Sequence, residues 1–588
     1  MKGPKQLRGL LRRQLNSLLG ALRSDITIFG RSRVHIWRGV FNLLEEVSFE
    51  GIDVSPWLSE LRGFIPLLFL VEEKINALNK VSLFYHKYAK KSEEAYHVLL
   101  ESYEQVESIR STVRRCLYLT EIADYAFQCG FNELGERIID EILNYLIAIS
   151  SPYDRALILI NSGVALAKYD VGRGDSLIMS AVELAERCGD STCYAKVLGR
   201  AASSLISISD DNENVRIAKN WFGKAFRIIY DFNIEMQLSL LAEIIGDVAI
   251  WNESKALELF QSLITKIKPD KFGIEIMLKA AKSLVRSDSD DLLSKVLNWL
   301  ETRIPKSQFI SKYEQLYYFV KTEAFYRYVD SYKVRFILKY IVDYIENALI
   351  GVKKSTDKEL LKETIKKLAE LDLEDAYNSF KKFMISECDK CSSPLKLYNK
   401  KIEFLLDFKD VFPKQILQEA IGLLREINNS PREYKIDLLP KQIPLFQYSE
   451  RDFKNAAKCA LALYDEISNK LEKIRYFSRV CSAIISVDPN WGRVLIEYAL
   501  EEIENLSKVD KAQALIFLSE QIYPCDAGLS RRILRDAIKT VESCEEERAA
   551  ELMLEISKKA KNLFGDDGWA RQIEILAHEM RRKKRSKN

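Results

Sequence analysis

The sequence predicts an all-α protein: an α-α superhelix (a solenoid) of about twelve antiparallel helical hairpins, preceded by an N-terminal helical region. Three observations predict it. First, one stretch recurs without gaps at 170–181 (DVGRGDSLIMSA), 488–499 (DPNWGRVLIEYA) and 526–537 (DAGLSRRILRDA). Each copy opens on Asp and has a small residue four places on (Gly174, Gly492, Ser530). An apolar pair follows (Leu177 and Ile178, Leu495 and Ile496, Ile533 and Leu534), and Ala closes the run. Asp can accept from the free N–H groups of a helix start, and the apolar positions form one stripe at helical spacing. Second, the segment before it also repeats: 280–288 (AAKSLVRSD) aligns with 480–488 (VCSAIISVD), and 518–526, 161–170 and 122–130 follow the same outline. Small residues at its second and fourth places allow two helices to approach closely. Third, Gly (23) and Pro (13) are scarce in 588 residues, which disfavours turn-rich β folds and glycine-lined cofactor loops.

From the N-terminus, residues 5–23 read as an amphipathic helix. Leu7, Leu10, Leu11, Leu15, Leu18, Leu19 and Leu22 lie on one face, and Lys5, Arg8, Arg12, Arg13 and Arg23 lie on the other. Residues 25–30 alternate weakly and read as a short extended link, followed by a helix over about 32–47. Ser55 and Pro56 read as an N-cap and first helical position. Helical patterns follow near 64–79 and 82–108. Residues 1–107 therefore form the N-terminal helical region.

Hairpins are expected near 108–149, 152–189, 191–230, 233–268, 271–303, 308–350, 356–388, 392–428, 431–467, 470–506, 509–543 and 544–582, a spacing that belongs to stacked repeats. Two helices touching only each other leave apolar outer faces exposed, so each pair needs neighbours on both sides. Pro440 and Pro444 fall inside the first helix of the ninth hairpin and predict a kink or break, since each removes an N–H and crowds the preceding turn. This site divides the array into hairpins over 108–430 and 431–582, with a basic tail at 583–588. A polar pause at 351–359 is a second candidate joint. The period, the paired helices and the small-residue positions resemble those of the tetratricopeptide and HEAT-like superhelix family over about 110–582. That resemblance implies a groove that binds protein partners, and it carries over no individual residue.

The chain offers little to catalysis. The tetrapeptide 174–177 spells GDSL, a serine esterase signature, but it sits at a helix start in repeat register, and such a nucleophile needs a base within reach. Cys388 and Cys391 make a single CxxC, where a zinc site needs about four ligands. Cys188 and Cys193 flank a loop at the wrong spacing for a zinc knuckle. His86 and His97 read as one helix, about 16 Å apart and too far to share a metal. No phosphate-binding loop, dinucleotide fingerprint or HExxH is present. No cofactor and no enzymatic activity are expected.

Ten scattered cysteines suit reduced thiols and a cytoplasmic location, and the longest apolar run is far short of the ~20 residues that span a bilayer. Residues 313–344 are dense in aromatics interleaved with cations. Tyr317, Tyr318, Phe325, Tyr326, Arg327, Tyr332 and Arg335 are the candidate partner-binding anchor, because Tyr and Arg dominate binding hot spots. The net charge of +3 hides basic ends around an acidic body: Arg8, Arg12 and Arg13 at one end, and Arg581, Arg582, Lys583, Lys584 and Arg585 at the other. The expected function is a non-catalytic scaffold or adaptor for one or more proteins. The alternatives are nucleic-acid association through the basic ends, and attachment to an anionic membrane through residues 5–23.

Overall fold

The structure, a computed structural model, describes residues 4–31, 34–109, 111–209, 211–287, 289–305, 307, 311, 314–315, 317–318, 321–322, 355–544 and 548–585. Among them every regular element is helical. The chain divides into two compact units, Met1–Phe383 and Met384–Asn588. Unit 1 begins with α1 (Pro4–Phe29), α2 (Val34–Phe49), α3 (Ser55–Phe64), α4 (Val71–Lys87) and α5 (Ser92–Gln105). It continues with the pairs α6 (Thr112–Gln128) and α7 (Asn132–Tyr145), α8 (Pro152–Ala167) and α9 (Val171–Arg187), α10 (Ser191–Ile208) and α11 (Asn212–Tyr230), α12 (Ile234–Trp251) and α13 (Glu253–Lys266), and α14 (Lys271–Leu284) and α15 (Asp290–Arg303). After the region outside the described residues come α16 (Ser355–Leu371) and α17 (Leu373–Cys388). Unit 2 holds α18 (Pro394–Phe408) and α19 (Pro413–Asn428), α20 (Arg432–Gln442) and α21 (Glu450–Asp465), α22 (Lys470–Ile485) and α23 (Pro489–Glu504), α24 (Lys508–Ile522) and α25 (Ala527–Glu542), and α26 (Ala549–Phe564) and α27 (Asp567–Arg585).

Every expected hairpin within the described residues is a pair of helices; the one near 308–350 lies largely outside them. In unit 1 the first helices form one layer, with α4 against α6, α6 against α8, α8 against α10, α10 against α12, and α12 against α14. The second helices pack on the first ones, α9 on both α8 and α10. Unit 2 repeats the pattern through α18, α20, α22, α24 and α26. The helix starts are fixed locally. Ser111, Ser151, Asp170, Asp190, Asp211, Asn233, Asn252 and Asp270 each accept a backbone N–H of the first turn that follows, a bond worth about 1 kcal/mol per cap.

The recurring stretch behaves as its residues dictate. Asp170, Asp488 and Asp526 cap α9, α23 and α25 through bonds of 3.0, 3.0 and 2.9 Å to Arg173, Trp491 and Leu529. The small residue that follows is a crossing point with the preceding helix. A Cβ on Gly174 would lie 2.6 Å from the Gly163 carbonyl oxygen, and one on Gly492 would lie 2.5 Å from the Cα of Ile485. The third copy solves the same approach with hydroxyls: Ser519 donates to the Ser530 carbonyl at 2.9 Å, and Ser530 donates to the Ser519 carbonyl at 2.8 Å.

The N-terminal region differs from expectation in three places. Residues 25–29 are helical, not an extended link, because Leu22, Ile26 and Phe29 continue the buried stripe of α1. Ser55 is the first helical residue and Val54 the cap; Asp53 accepts the Ser55 N–H at 2.9 Å. The pattern at 64–79 is split by a 3-10 turn at Ile65–Leu67, and the pattern at 82–108 is split between α4 and α5. His86 and His97 consequently stand on two helices. At the second break Lys90 takes φ 57°, a left-handed conformation that β-carbon-bearing residues adopt rarely, so no Gly or Asn marked the turn. Leu11, Leu15, Leu19 and Leu22 of α1 are buried in one core with residues of α2 to α5.

Pro440 lies inside α20, which gives way two residues later to a 3-10 turn at Ile443–Phe446 carrying Pro444. The prolines leave the Ile436 and Pro440 carbonyls without their helical donors. Gln442 is fully buried there, with neither atom of its side-chain amide hydrogen-bonded.

Substituting Ala at Gly174 or Gly492 should lower stability by about 1–3 kcal/mol through overpacking. Gly422→Ala, at a helical site with open space around it, should raise stability by about 0.5–1 kcal/mol. Denaturant unfolding of the three variants measures the contrast.

Candidate binding groove

The first helices of unit 1 present their non-core faces side by side, and two cavities open along them. One, of about 260 Å³, is lined by Tyr153, Lys196, Arg200, Glu243, Ile244, Asp247, Lys279, Lys282, Ser283 and Arg286. The other, of about 420 Å³, is lined by residues of α6, α8, α10 and α12, among them Thr120, Glu121, Asp124, Asn161, Lys168 and Ser203. Arg200 and Arg286 line both, so the two cavities meet at this arginine pair.

Helical spacing builds each face: Lys196, Arg200 and Ser203 on α10, Glu243 and Asp247 on α12, and Glu275, Lys279 and Lys282 on α14, with Arg286 just beyond its last turn. The separation of α12 and α14 is set by another small-residue crossing. A Cβ on Gly246 would lie 2.0 Å from the Ser283 carbonyl oxygen. The Ser283 hydroxyl instead accepts from the Gly246 N–H at 2.9 Å and donates to the Glu243 carbonyl at 2.8 Å.

That approach puts Glu243 between two ammonium groups, Lys196 at 2.5 Å and Lys279 at 2.9 Å, so one carboxylate ties three helices together. Burial pushes the Glu243 carboxyl up, but its hydrogen bonds from Lys196 and Lys279 outweigh burial, and it sits below its ordinary 4.5. The Asp247 side chain is buried and takes Arg200 at 3.3 Å and the Ser203 hydroxyl at 3.0 Å. Lys168 pairs with Asp124 at 2.5 Å. Burial raises the Glu121 carboxyl, with Lys80 opposing it. Tyr153 lies beneath Lys196, whose ammonium is 5.8 Å from the ring centroid, and burial raises its hydroxyl.

Six cations and four carboxylates line the two cavities. The unengaged groups belong to α8, α10 and α14 and to the turn after α14. Lys282 and Arg286 are exposed and make no side-chain hydrogen bond or ion pair among the described residues, and Arg200 Nε is buried without a hydrogen-bond partner. The half-buried Asn161 amide is likewise unpaired.

Of the expected anchor residues, Tyr317 is half-buried, 5.3 Å from the Tyr318 ring and 5.3 Å from the Lys321 ammonium. Lys321 pairs with Glu275 at 3.5 Å, which sets Tyr317 beside the stripe of α14 that lines the groove. Tyr318 is only 2% exposed, a packing residue whose hydroxyl is raised by burial. Phe325, Tyr326, Arg327, Tyr332 and Arg335 lie outside the described residues. Arg8 pairs with Glu50 at 3.8 Å, Arg13 donates to the Gly9 carbonyl at 3.3 Å, and Arg12 is exposed. Arg581 is exposed on α27, whose backbone continues through Arg582, Lys583, Lys584 and Arg585.

The other sequence motifs take structural places. Ser176 of the GDSL tetrapeptide donates to the Gly172 carbonyl on the exposed face of α9. Cys388 and Cys391 are free thiols at the end of α17 and the turn after it, and Cys188 and Cys193 are also free. Burial and the neighbouring Cys188 push the Cys193 thiol up to about 12. Among the described residues no group of three or more His, Cys, Asp or Glu is placed to hold a metal ion.

The fold and groove define an all-helical hairpin-repeat protein. No family model and no curated protein matches the chain. Among solved structures it is similar to Ton1535 from Thermococcus onnurineus NA1, with 13% identity and a TM-score of 0.25 over 70% of this chain and 98% of that one. It is also similar to a homology model of the full-length AP-3 complex in an intermediate open conformation, with 13% identity and a TM-score of 0.22 over 96% and 86%. A third is importin beta in an ammonium sulfate condition, with 11% identity and a TM-score of 0.24 over 98% and 86%. At these scores the architecture rests on the chain's own helices, not on the overlays.

The Glu243 pKa fixes a pH dependence. A carboxyl held low in the folded state adds stability that is fully present above its ordinary 4.5 and is lost as pH falls through the lower folded value. Glu243→Gln should therefore lower the melting temperature at neutral pH and flatten its decline on the acid side. Thermal melts followed by circular dichroism across that range check both.

Proposed function

We propose that this protein is a non-catalytic helical-repeat scaffold or adaptor that holds a protein partner in the groove along α6, α8, α10, α12 and α14. The observation that carries this reading is the arginine pair at the junction of the two cavities, with Lys282, Arg286 and Asn161 unengaged beside it. Arg is a favoured hot-spot residue, and polar groups left unpaired in a concavity are what a partner can satisfy. Tyr317, at the α14 side of the groove, supplies an aromatic neighbour. We place this function in the cytoplasm, in keeping with the free thiols. Among the described residues no helix is long and apolar enough to cross a membrane. Insertion of α1 into a lipid surface would expose a face now buried in the core, at a cost of about 1.5–3 kcal/mol for each large side chain uncovered.

The test is capture from the native source by the full-length wild type, by a groove variant (Lys282→Glu with Arg286→Glu) and by an outer-layer control (Arg187→Glu with Arg216→Glu). The expected result is a set of proteins held by wild type and control and reduced about tenfold in the groove variant, the loss of one or two charge-assisted contacts. Equal capture by all three forms would overturn the reading. So would recovery of nucleic acid alone with a steep dependence on salt, the behaviour of phosphate contacts.

A further inference from the structure

The groove's charges also select the chemistry of its occupant. Resting on the groove reading above, we infer that the occupant is an extended, acidic segment of polypeptide, with one carboxylate seated between Arg200 and Arg286 and a second at Lys282. A planar carboxylate matches the guanidinium fork, and such bonds are about twice as strong as neutral ones. Arg200 spends one nitrogen on Asp247 and keeps a buried Nε without a partner, while Arg286 spends none. Arg200 and Arg286 both line the two cavities. Beside them the unpaired amide of Asn161 can donate to and accept from one peptide unit.

The same surface disfavours a polyphosphate chain. Glu121, Asp124, Glu243 and Asp247 line the two cavities, and a nucleic-acid backbone, charged at every step, would have to pass them. A peptide can set its acids opposite the arginines and place neutral residues opposite those carboxylates. Like charges brought together across an interface cost several kcal/mol and so decide between partners.

The experiment measures binding of labelled probes to the full-length protein by fluorescence anisotropy. The probes are a short peptide of Asp and Glu alternating with Gly and Ser, its counterpart with Asn and Gln in place of the acids, and a single-stranded oligonucleotide of matching charge. The acidic peptide should bind at least about tenfold tighter than either other probe and weaken as salt is raised. Arg286→Glu and Lys282→Glu should each weaken it by about tenfold or more, and Arg286→Lys should restore part of the loss. Both side chains are exposed, and circular dichroism of each variant is the check that it folds. Equal binding of the amide peptide, tighter binding of the oligonucleotide, or an affinity untouched by either variant overturns the inference. If capture of native partners depends on the groove while no acidic peptide binds, the scaffold reading stands and this inference falls.

Discussion

Two helices meeting where neither carries a bulky side chain is the constraint on which the rest of this structure depends. At Gly163 and Gly174 the contact is backbone against backbone, with no room for a β-carbon. At Ser519 and Ser530 it is a reciprocal pair of hydroxyl-to-carbonyl bonds. At Gly246 and Ser283 one partner is bare and the other supplies the hydroxyl. In each case the axes are drawn close, the apolar residues on either side interdigitate, and the pair presents a defined outer surface to its neighbours. The first two contacts close hairpins internally, whereas the third joins one hairpin to the next. The same device therefore fixes both the unit and its stacking.

The groove inherits its dimensions from that device. Lys196, Glu243 and Lys279 belong to three helices and meet only because α12 stands close to α14 and α10. A wider crossing would separate Glu243 from Lys279, and the two cavities would merge into an open face. Charge then divides the surface: Glu243 is satisfied from both sides and Asp247 from α10, while the unpaired cations Lys282 and Arg286 stand at α14 and the junction.

Much of the fold was legible because its signals are local. The Asp caps, the small residue four places on and the apolar pair lie within one short run, and all three copies do in the structure what their residue types require. The turn at Lys90 was illegible because a lysine occupies a backbone conformation that usually announces itself with glycine. The end of α1 was misread because Ile26 and Ile28 alternate over a span too short to distinguish a strand from the last turn of a helix. The groove was invisible for a different reason. Lys196, Glu243 and Lys279 are each an ordinary charge on a polar helix face, and nothing in one helix reveals that the next carries its complement. The signal was present as opposite charges at matching positions of successive first helices, readable only once the stacking register is known. The aromatic hairpin drew attention by composition, yet Tyr318 spends its ring on packing and Tyr317 earns interest through Lys321 and Glu275 on the neighbouring α14.

The prolines of α20 have a mechanical consequence. A stack whose members grip one another on two sides deforms most where its internal ladder is thinnest. In unit 2 that place is the end of α20, where two carbonyls lose their helical donors and a buried Gln442 amide goes unanswered. The backbone ladder of unit 2 is thus interrupted inside its packed core, between α18 on one side and α22 on the other.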